Sequence, residues 1–184
     1  MAKVLSTALA TILFLWAPPA VSESPAPHTD HVGTRIGDWQ RTLRLVREAF
    51  PEVPQMSTQQ LAAMRADDTG PDIVLLDARS EAEFDVSHLP RAVLANNTRT
   101  ALEAIEASDP ARTVVVYCSV GYRSSRLAEK LQARGIENVF NLEGSLFRWA
   151  NEGRPLYRGE DRVYEAHPYD EEWGQLLDRR FWSD

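Results

Sequence analysis

Cysteine is nearly missing from this chain: Cys118 is the single thiol in 184 residues. One cysteine excludes an intramolecular disulfide, so no disulfide scaffold holds the fold. The residue is a buried spectator, an intermolecular linker or a reactive thiol. Runs of basic residues are missing too, and the formal net charge is −7. That balance gives no electrostatic footprint for nucleic acid, which is not expected as a partner. Long apolar runs are scarce. The longest, Val4 to Trp16, falls short of the roughly 20 residues that span a bilayer. Internal repeats are absent. Hydrophobic residues are 43% and charged residues 26% of the chain, which places it among soluble globular proteins able to build one real core.

The first residues, MAKVLSTALATILFLWAPPAVSES, read as a leader. Lys3 supplies a positive start, Val4–Trp16 an apolar stretch, and Pro18-Pro19 its end. Ala20-Val21-Ser22 offers the small residues of a cleavage site, so residues 1–22 are expected to be a signal peptide cut after Ser22. An uncleaved anchor is the alternative. The expectation is a periplasmic or otherwise exported protein. Exported proteins commonly use cysteines in pairs, so a solitary thiol calls for an explanation.

Residues 23–56 are expected to form a flexible arm followed by an amphipathic helix. The arm, to Gly37, is rich in Pro, Gly and small polar residues. Its His28-Thr-Asp-His31 has no further ligand nearby, so no metal clip is expected. From Asp38, Trp39, Leu43, Val46 and Phe50 recur at helical spacing, with Arg41, Arg44 and Arg47 off that face. Asp38 is the expected cap and Pro51 the stop. The helix is expected to pack on the main domain, with residues 38–50 also a candidate docking surface for a partner.

Two capping boxes follow, Ser57-Thr-Gln-Gln60 and Ser80-Glu-Ala-Glu83. Asp67–Asp72 reads as a turn. Ile73–Leu76, Ala92–Leu94, Thr113–Tyr117 and Val139–Phe140 read as strands. Between them lie a helix opening at Thr100 with Leu102 and Ile105 inward, closed by Asp109-Pro110, and a helix with Leu127, Ala128 and Leu131 on one face ended by Gly135. A last core helix spans Gly144 to Asn151, with Leu146 and Trp149 inward. Strands alternating with helices imply an α/β domain around a mainly parallel sheet. The segment 159–184 carries Tyr164, Tyr169, Trp173, Phe181 and Trp182, and is expected to fold back over that domain.

Ligands of such sheets gather at the carboxyl ends of the strands. Cys118 sits there, after Thr113–Tyr117. Ser119, Val120, Gly121, Tyr122 and Arg123 then lead into a helix, where successive backbone N–H groups can form an anion-binding nest. Gly121 lets the backbone curve, Arg123 adds a positive charge, and Ser124 is the expected N-cap. Together these favour the thiolate and should lower the Cys118 pKa. Two chemistries use a cysteine cradled this way. Tyrosine phosphatases and arsenate reductases use C-x5-R. Here Arg123 gives C-x4-R, with Ser124 at the longer spacing. The shorter loop suits one sulfur atom better than a tetrahedral phosphate.

The chain resembles the single-domain rhodanese family over 57–158. VLLDARSEAEFDVSHLPRAV looks like its N-terminal signature, VVVYCSVGYRSSRLAEKLQARG like its catalytic strand, loop and helix, and NVFNLEGSLFRWANEGRPL like its C-terminal signature. Departures are Ser87, Arg91 and Ser145, where the family often has glycine. These are expected to shape turns away from the loop. The resemblance implies a three-layer rhodanese-like α/β fold, helices flanking the mainly parallel sheet. It also implies a Cys118 persulfide formed from a small anionic donor such as thiosulfate and passed to cyanide or a thiol acceptor, with Arg123 holding the donor and no metal or organic cofactor needed. The loop lacks the basic pair that follows the cysteine in classical thiosulfate enzymes. Asp77 and Arg79 are expected to be scaffold, Arg79 pairing with Glu83 and Asp77 accepting backbone N–H bonds. His88 is expected to be a hydrogen-bonded turn residue. A non-catalytic module that binds a partner through the N-terminal helix or aromatic tail is the second reading, and a cysteine phosphatase or arsenate reductase the third.

Overall fold

The computed structural model describes residues 32–66, 73–108 and 112–183. Short runs of Val, Ile and Leu bounded by turn residues make strands that are covered on both faces. Five form one parallel sheet in the order β1-β5-β4-β2-β3: β1 (Gln55–Met56), β2 (Ile73–Asp77), β3 (Val93–Leu94), β4 (Thr113–Tyr117) and β5 (Val139–Leu142). Parallel strands need crossovers, and helices supply them. The helices are α1 (Val32–Ala49), α2 (Thr58–Met64), α3 (Glu81–Val86), α4 (Thr98–Glu106), α5 (Tyr122–Gln132) and α6 (Ser145–Asn151).

The period-2 alternation of the strands splits the core into two halves. Val74, Leu76, Val114 and Val116 pack with Val46 of α1 and Phe50 just after it, Ala101 and Ile105 of α4, and Leu127, Ala128 and Leu131 of α5. Leu75, Val115 and Tyr117 face the other way, toward Leu61 of α2 and Leu146, Phe147 and Trp149 of α6. The result is the expected three-layer α/β fold with a central parallel sheet. Fully burying one such aliphatic side chain contributes about 1.5–3 kcal/mol. The alternation also carries Cys118, one residue past β4, onto the side of Val114 and Val116.

Both capping boxes form, at Ser57 with Gln60 and at Ser80 with Glu83. Gly135 ends α5 at φ 87, with its own N–H on Gln132 O and that of Ile136 on Leu131 O, the Schellman arrangement. Two helix starts differ from expectation. The first helix begins at Val32, so Asp38 lies inside it and not at its start; the stretch from Val32 to Gly37 holds no proline to interrupt the helical ladder. Asn97, not Thr100, caps α4, because its side chain reaches the Thr100 N–H. That start turns Ala101 and Ile105 inward and leaves Leu102 only partly buried. Residues 1–22 and 23–31, the turn Asp67–Asp72 and Asp109-Pro110 lie outside the described residues.

After α6 the chain makes an antiparallel hairpin of β6 (Leu156–Arg158) and β7 (Asp161–Val163), then a one-turn helix α7 (Glu171–Gly174) and a 3₁₀ turn at Arg179–Phe181. Ala166, Leu176, Leu177 and Phe181 complete the α2/α6 half of the core. The tail therefore folds back and shares the core of the domain. Tyr164 and Tyr169 stay exposed. Among the described residues no helix is long and apolar enough to cross a membrane.

Candidate active site

Cys118 leaves β4 into a loop that is tied to its surroundings at nearly every peptide. Its N–H donates to Ser145 Oγ at 3.1 Å, and that hydroxyl donates on to Leu142 O at 3.0 Å. The carbonyls of Cys118 and Ser119 accept the N–H groups of Leu146 and Phe147, both at 3.0 Å. The first turn of α6 thus uses loop carbonyls for donors that would otherwise have no partner.

The loop turns at Gly121, which caps α5 in the left-handed region at φ 117. A Cβ there would come 3.2 Å from Asn141 Nδ2, so glycine is required by both strain and space. Its N–H donates to Cys118 Sγ at 3.2 Å. Ser124, the expected cap, lies one turn inside α5, because the left-handed glycine starts the helix earlier. Its hydroxyl stands 3.4 Å from Cys118 Sγ and 2.6 Å from Asn141 Oδ1. One hydroxyl proton cannot serve both, and the shorter bond is to Asn141. Asn141 Nδ2 in turn donates to Gln55 Oε1 at 2.6 Å.

Arg123 is clamped. Its two terminal nitrogens donate to the two Glu83 carboxylate oxygens at 2.8 and 2.7 Å, and Nη2 also donates to Ser119 Oγ at 2.9 Å. The Tyr169 ring covers the guanidinium at 4.6 Å. This two-point pairing replaces the expected Arg79–Glu83 pair. Burial alone would push the Glu83 carboxyl up, but the Arg123 hydrogen bonds and charge and the Ser80 donors hold it down to about 2. The same carboxylate raises the Arg123 pKa further.

Cys118 is 1% exposed. Burial pushes its thiol pKa up; the Arg123 charge and the backbone N–H groups of Ser124 and Gly121 act against that, and the net displacement is downward. Of the expected nest of amides from Ser119 to Arg123, the Gly121 N–H reaches the sulfur, and the Ser124 amide, beyond that nest, adds to its effect. Val120 instead packs into the core. Tyr122 sets its ring edge-on to Phe50, just past the end of α1, with centroids 5.0 Å apart. Of the anticipated donor-binding residues, the structure brings Ser119, Gly121 and Arg123 to one place.

Asp77 and Arg79 are fully buried. The carboxylate takes Arg79 Nε at 2.9 Å, Nη2 at 2.7 Å and the Arg79 backbone N–H at 3.0 Å. Nη2 also reaches Ser87 O at 2.5 Å. The buried Tyr117 hydroxyl accepts from Leu89 N at 3.1 Å. Burial, with Asp77 beside it, pushes that hydroxyl well above its usual pKa. This brace joins the ends of β2 and β4 to the 87–89 turn. It makes no contact with the sulfur, so both residues are scaffold. His88 is also structural. Its Nε2 accepts from Gly159 N at 3.2 Å, so Nδ1 carries the proton and donates to Leu89 O at 3.0 Å. Among the described residues, no group of three or more His, Cys, Asp or Glu could hold a metal ion.

Four contributors escaped the sequence reading. Asn141 had a signal, a polar residue inside the apolar strand Val-Phe-Asn-Leu. Glu83 was seen as a cap but not as the partner of Arg123. Ser145 was expected to lie away from the loop, yet it bonds the cysteine backbone. Tyr169 is distant in sequence and carried no signal beyond aromatic density.

The family model for the Rhodanese-like domain matches residues 57–152. A tRNA uridine(34) hydroxylase of Variovorax paradoxus is 34% identical over 106 residues, covering 54% of this chain and 40% of that protein. One of Cupriavidus pinatubonensis is 31% identical over 121 residues, covering 62% and 43%. The chain thus spans less than half the length of these relatives. Among solved structures, a thiosulfate sulfurtransferase of Pseudomonas aeruginosa is similar with a TM-score of 0.56 at 23% identity, over 77% of this chain and 27% of that one. A Rhodopseudomonas palustris protein described as a possible tyrosine phosphatase gives 0.50 at 22% identity, over 73% and 100%. These two show likeness of fold.

Proposed function

This chain belongs to the rhodanese-like domain family, and from that premise we propose that it is a sulfurtransferase whose Cys118 carries sulfur as a persulfide. The observation that carries the reading is the sulfur itself: a lone thiol at the head of a C-x4-R loop, receiving the Gly121 N–H at 3.2 Å, with its pKa lowered by the Arg123 charge and the loop amides against the opposing effect of burial. In the first half-reaction the Cys118 thiolate attacks the outer sulfur of a donor. With thiosulfate, the S–S bond of the donor breaks, sulfite leaves with the electron pair, and Cys118 holds a persulfide anion. In the second, cyanide or a thiolate attacks the outer persulfide sulfur, and the Cys118 thiolate is released. The Gly121 and Ser124 amides stabilise charge on sulfur throughout. Thiosulfate is the test donor; a small anionic persulfide would pass through the same steps.

Spacing argues against phosphatase chemistry. The tight loop, drawn in by the Gly121–sulfur bond, suits a single sulfur atom. Unmodified protein is therefore expected to show no meaningful hydrolysis of aryl phosphate. Export is part of the proposal and is supported by the leader-like residues 1–22. N-terminal sequencing of protein recovered from the periplasm should begin at Glu23. The net charge of −7 argues against a nucleic acid, and it means that an anionic donor is drawn in locally, by Arg123 and the loop amides. The deciding experiment for catalysis is cyanide-dependent thiocyanate release from thiosulfate by wild type and Cys118→Ser. The serine variant should lose essentially all turnover while keeping its circular dichroism spectrum; turnover near wild type would remove Cys118 from the mechanism.

A further inference from the structure

Tyr169 lies outside the residues matched by the family, and its backbone is unusual. It has φ 71, and the Asp170 N–H donates across it to Pro168 O at 3.0 Å. A bond spanning one residue of positive φ defines the rarer, strained form of the γ-turn. A non-glycine residue holds such a conformation only when its flanks fix it. Here they do. On one side Ala166 is fully buried, and its N–H donates to Phe181 O at 2.6 Å. On the other, the Asp170 side chain caps α7 by accepting from Trp173 N at 2.8 Å. The Trp182 ring closes the turn so tightly on Gly174 that a Cβ there would meet it at 2.6 Å. The Tyr169 N–H is itself taken up by His167 Nδ1 at 2.9 Å.

Burial does not explain this placement, because Tyr169 remains 47% exposed. The ring instead lies over the Arg123 guanidinium, whose edge is already held by Glu83 and Ser119. We propose that Tyr169 is a positioning residue of the Cys118 site, contributed by the tail, whose ring holds the Arg123 guanidinium against Glu83 and Ser119 at the Cys118 loop. The inference rests on the reading of Cys118 as a nucleophile. The groups facing Arg123 are Glu83 from α3, Ser119 and Cys118 from the loop, and Tyr169 from the tail. With the ring gone, water reaches the open face, the guanidinium gains freedom, and its pull on the thiolate weakens.

The test uses the full chain as wild type and as Tyr169→Phe, Tyr169→Ala and Tyr169→Gly. Alkylation of Cys118 by neutral iodoacetamide is followed by mass spectrometry across pH, and its rate is compared with that of anionic iodoacetate. Phenylalanine keeps the ring face, so its profile should overlay wild type. Alanine and glycine should each move the alkylation midpoint up by about half a pH unit and lower the iodoacetate-to-iodoacetamide ratio by about twofold. Glycine accepts φ 71 without strain, so it reads out the loss of the ring even where alanine folds poorly. Profiles of alanine and glycine that overlay wild type overturn the proposal, as does a phenylalanine profile displaced as far as theirs. A wild-type thiol that titrates in the ordinary cysteine range instead sinks the underlying reading of Cys118.

Discussion

Glu83 shows how much of the site depends on one side chain that the sequence assigned a lesser task. It completes the capping box of α3 and also neutralises Arg123. Its carboxyl titrates near 2 in the folded protein, against about 4.3 for a free glutamate. A depressed carboxyl stabilises the fold fully above its unfolded value, and that contribution fades as pH falls from about 4.3 toward 2. Urea unfolding at pH 6 and pH 3 should show Glu83→Gln well below wild type at the higher pH and much closer to it at the lower. An equal gap at both values contradicts the pairing. At Arg123 the expectation is electrostatic. Arg123→Ala leaves both sulfur-facing amides, so the Cys118 alkylation midpoint should rise by about one pH unit and not further. Arg123→Lys should recover only part of it, since an ammonium cannot make the two-point contact with Glu83. Coincident profiles for all three would leave the amides alone in control of the thiol. That Cys118 and Arg123 come together at one loop was legible in the sequence because both lie on one short segment. The pairing of Glu83 was not, because α3 and α5 are distant in sequence and only the fold brings Glu83 and Arg123 together.

The loop after β4 and the start of α6 act as one element. Ser145 sits at φ 52 while its hydroxyl satisfies the buried Cys118 N–H. Its two functions can be separated. Ser145→Ala and Ser145→Gly both delete the hydroxyl, leaving a buried donor unsatisfied at a cost of about 1–3 kcal/mol. Only glycine relieves the left-handed backbone. Thermal unfolding should therefore rank wild type above glycine, and glycine above alanine by about 1 kcal/mol. Alanine at or above glycine would refute the claim that the left-handed backbone at Ser145 is strained. Arg91, at φ 59, marks the same kind of position, where the resemblance also led one to expect glycine. The strands were readable because burial on both faces demands continuous Val and Leu. Helix starts were less so. Asn97 rather than Thr100, and Gly121 rather than Ser124, became caps because the approach of the preceding chain decides which side chain or backbone reaches the first free amides.

At the scale of the whole molecule, the tail is structural as well as local to the site. Leu177 is 1% exposed and packs with the α2/α6 half of the core. Leu177→Ala should cost about 2–5 kcal/mol, read as a lower urea midpoint; a change below about 1 kcal/mol would mean the tail is an appendage after all. That 159–184 folds back was legible from its aromatic density. Which aromatic reaches the site was not, because Tyr169 is placed by a γ-turn that leaves no pattern in the sequence. The three layers followed from the strand and helix order alone, whereas the position of α1 beside Gly121 comes from tertiary packing of Val46 and Phe50. All of these features converge on one buried sulfur. The most direct measurement is intact-protein and peptide mass spectrometry after thiosulfate is added and removed. The account expects the peptide holding Cys118 to gain the mass of one sulfur atom and to lose it on adding cyanide. Protein that stays unmodified with thiosulfate and with a low-molecular-weight persulfide donor contradicts it.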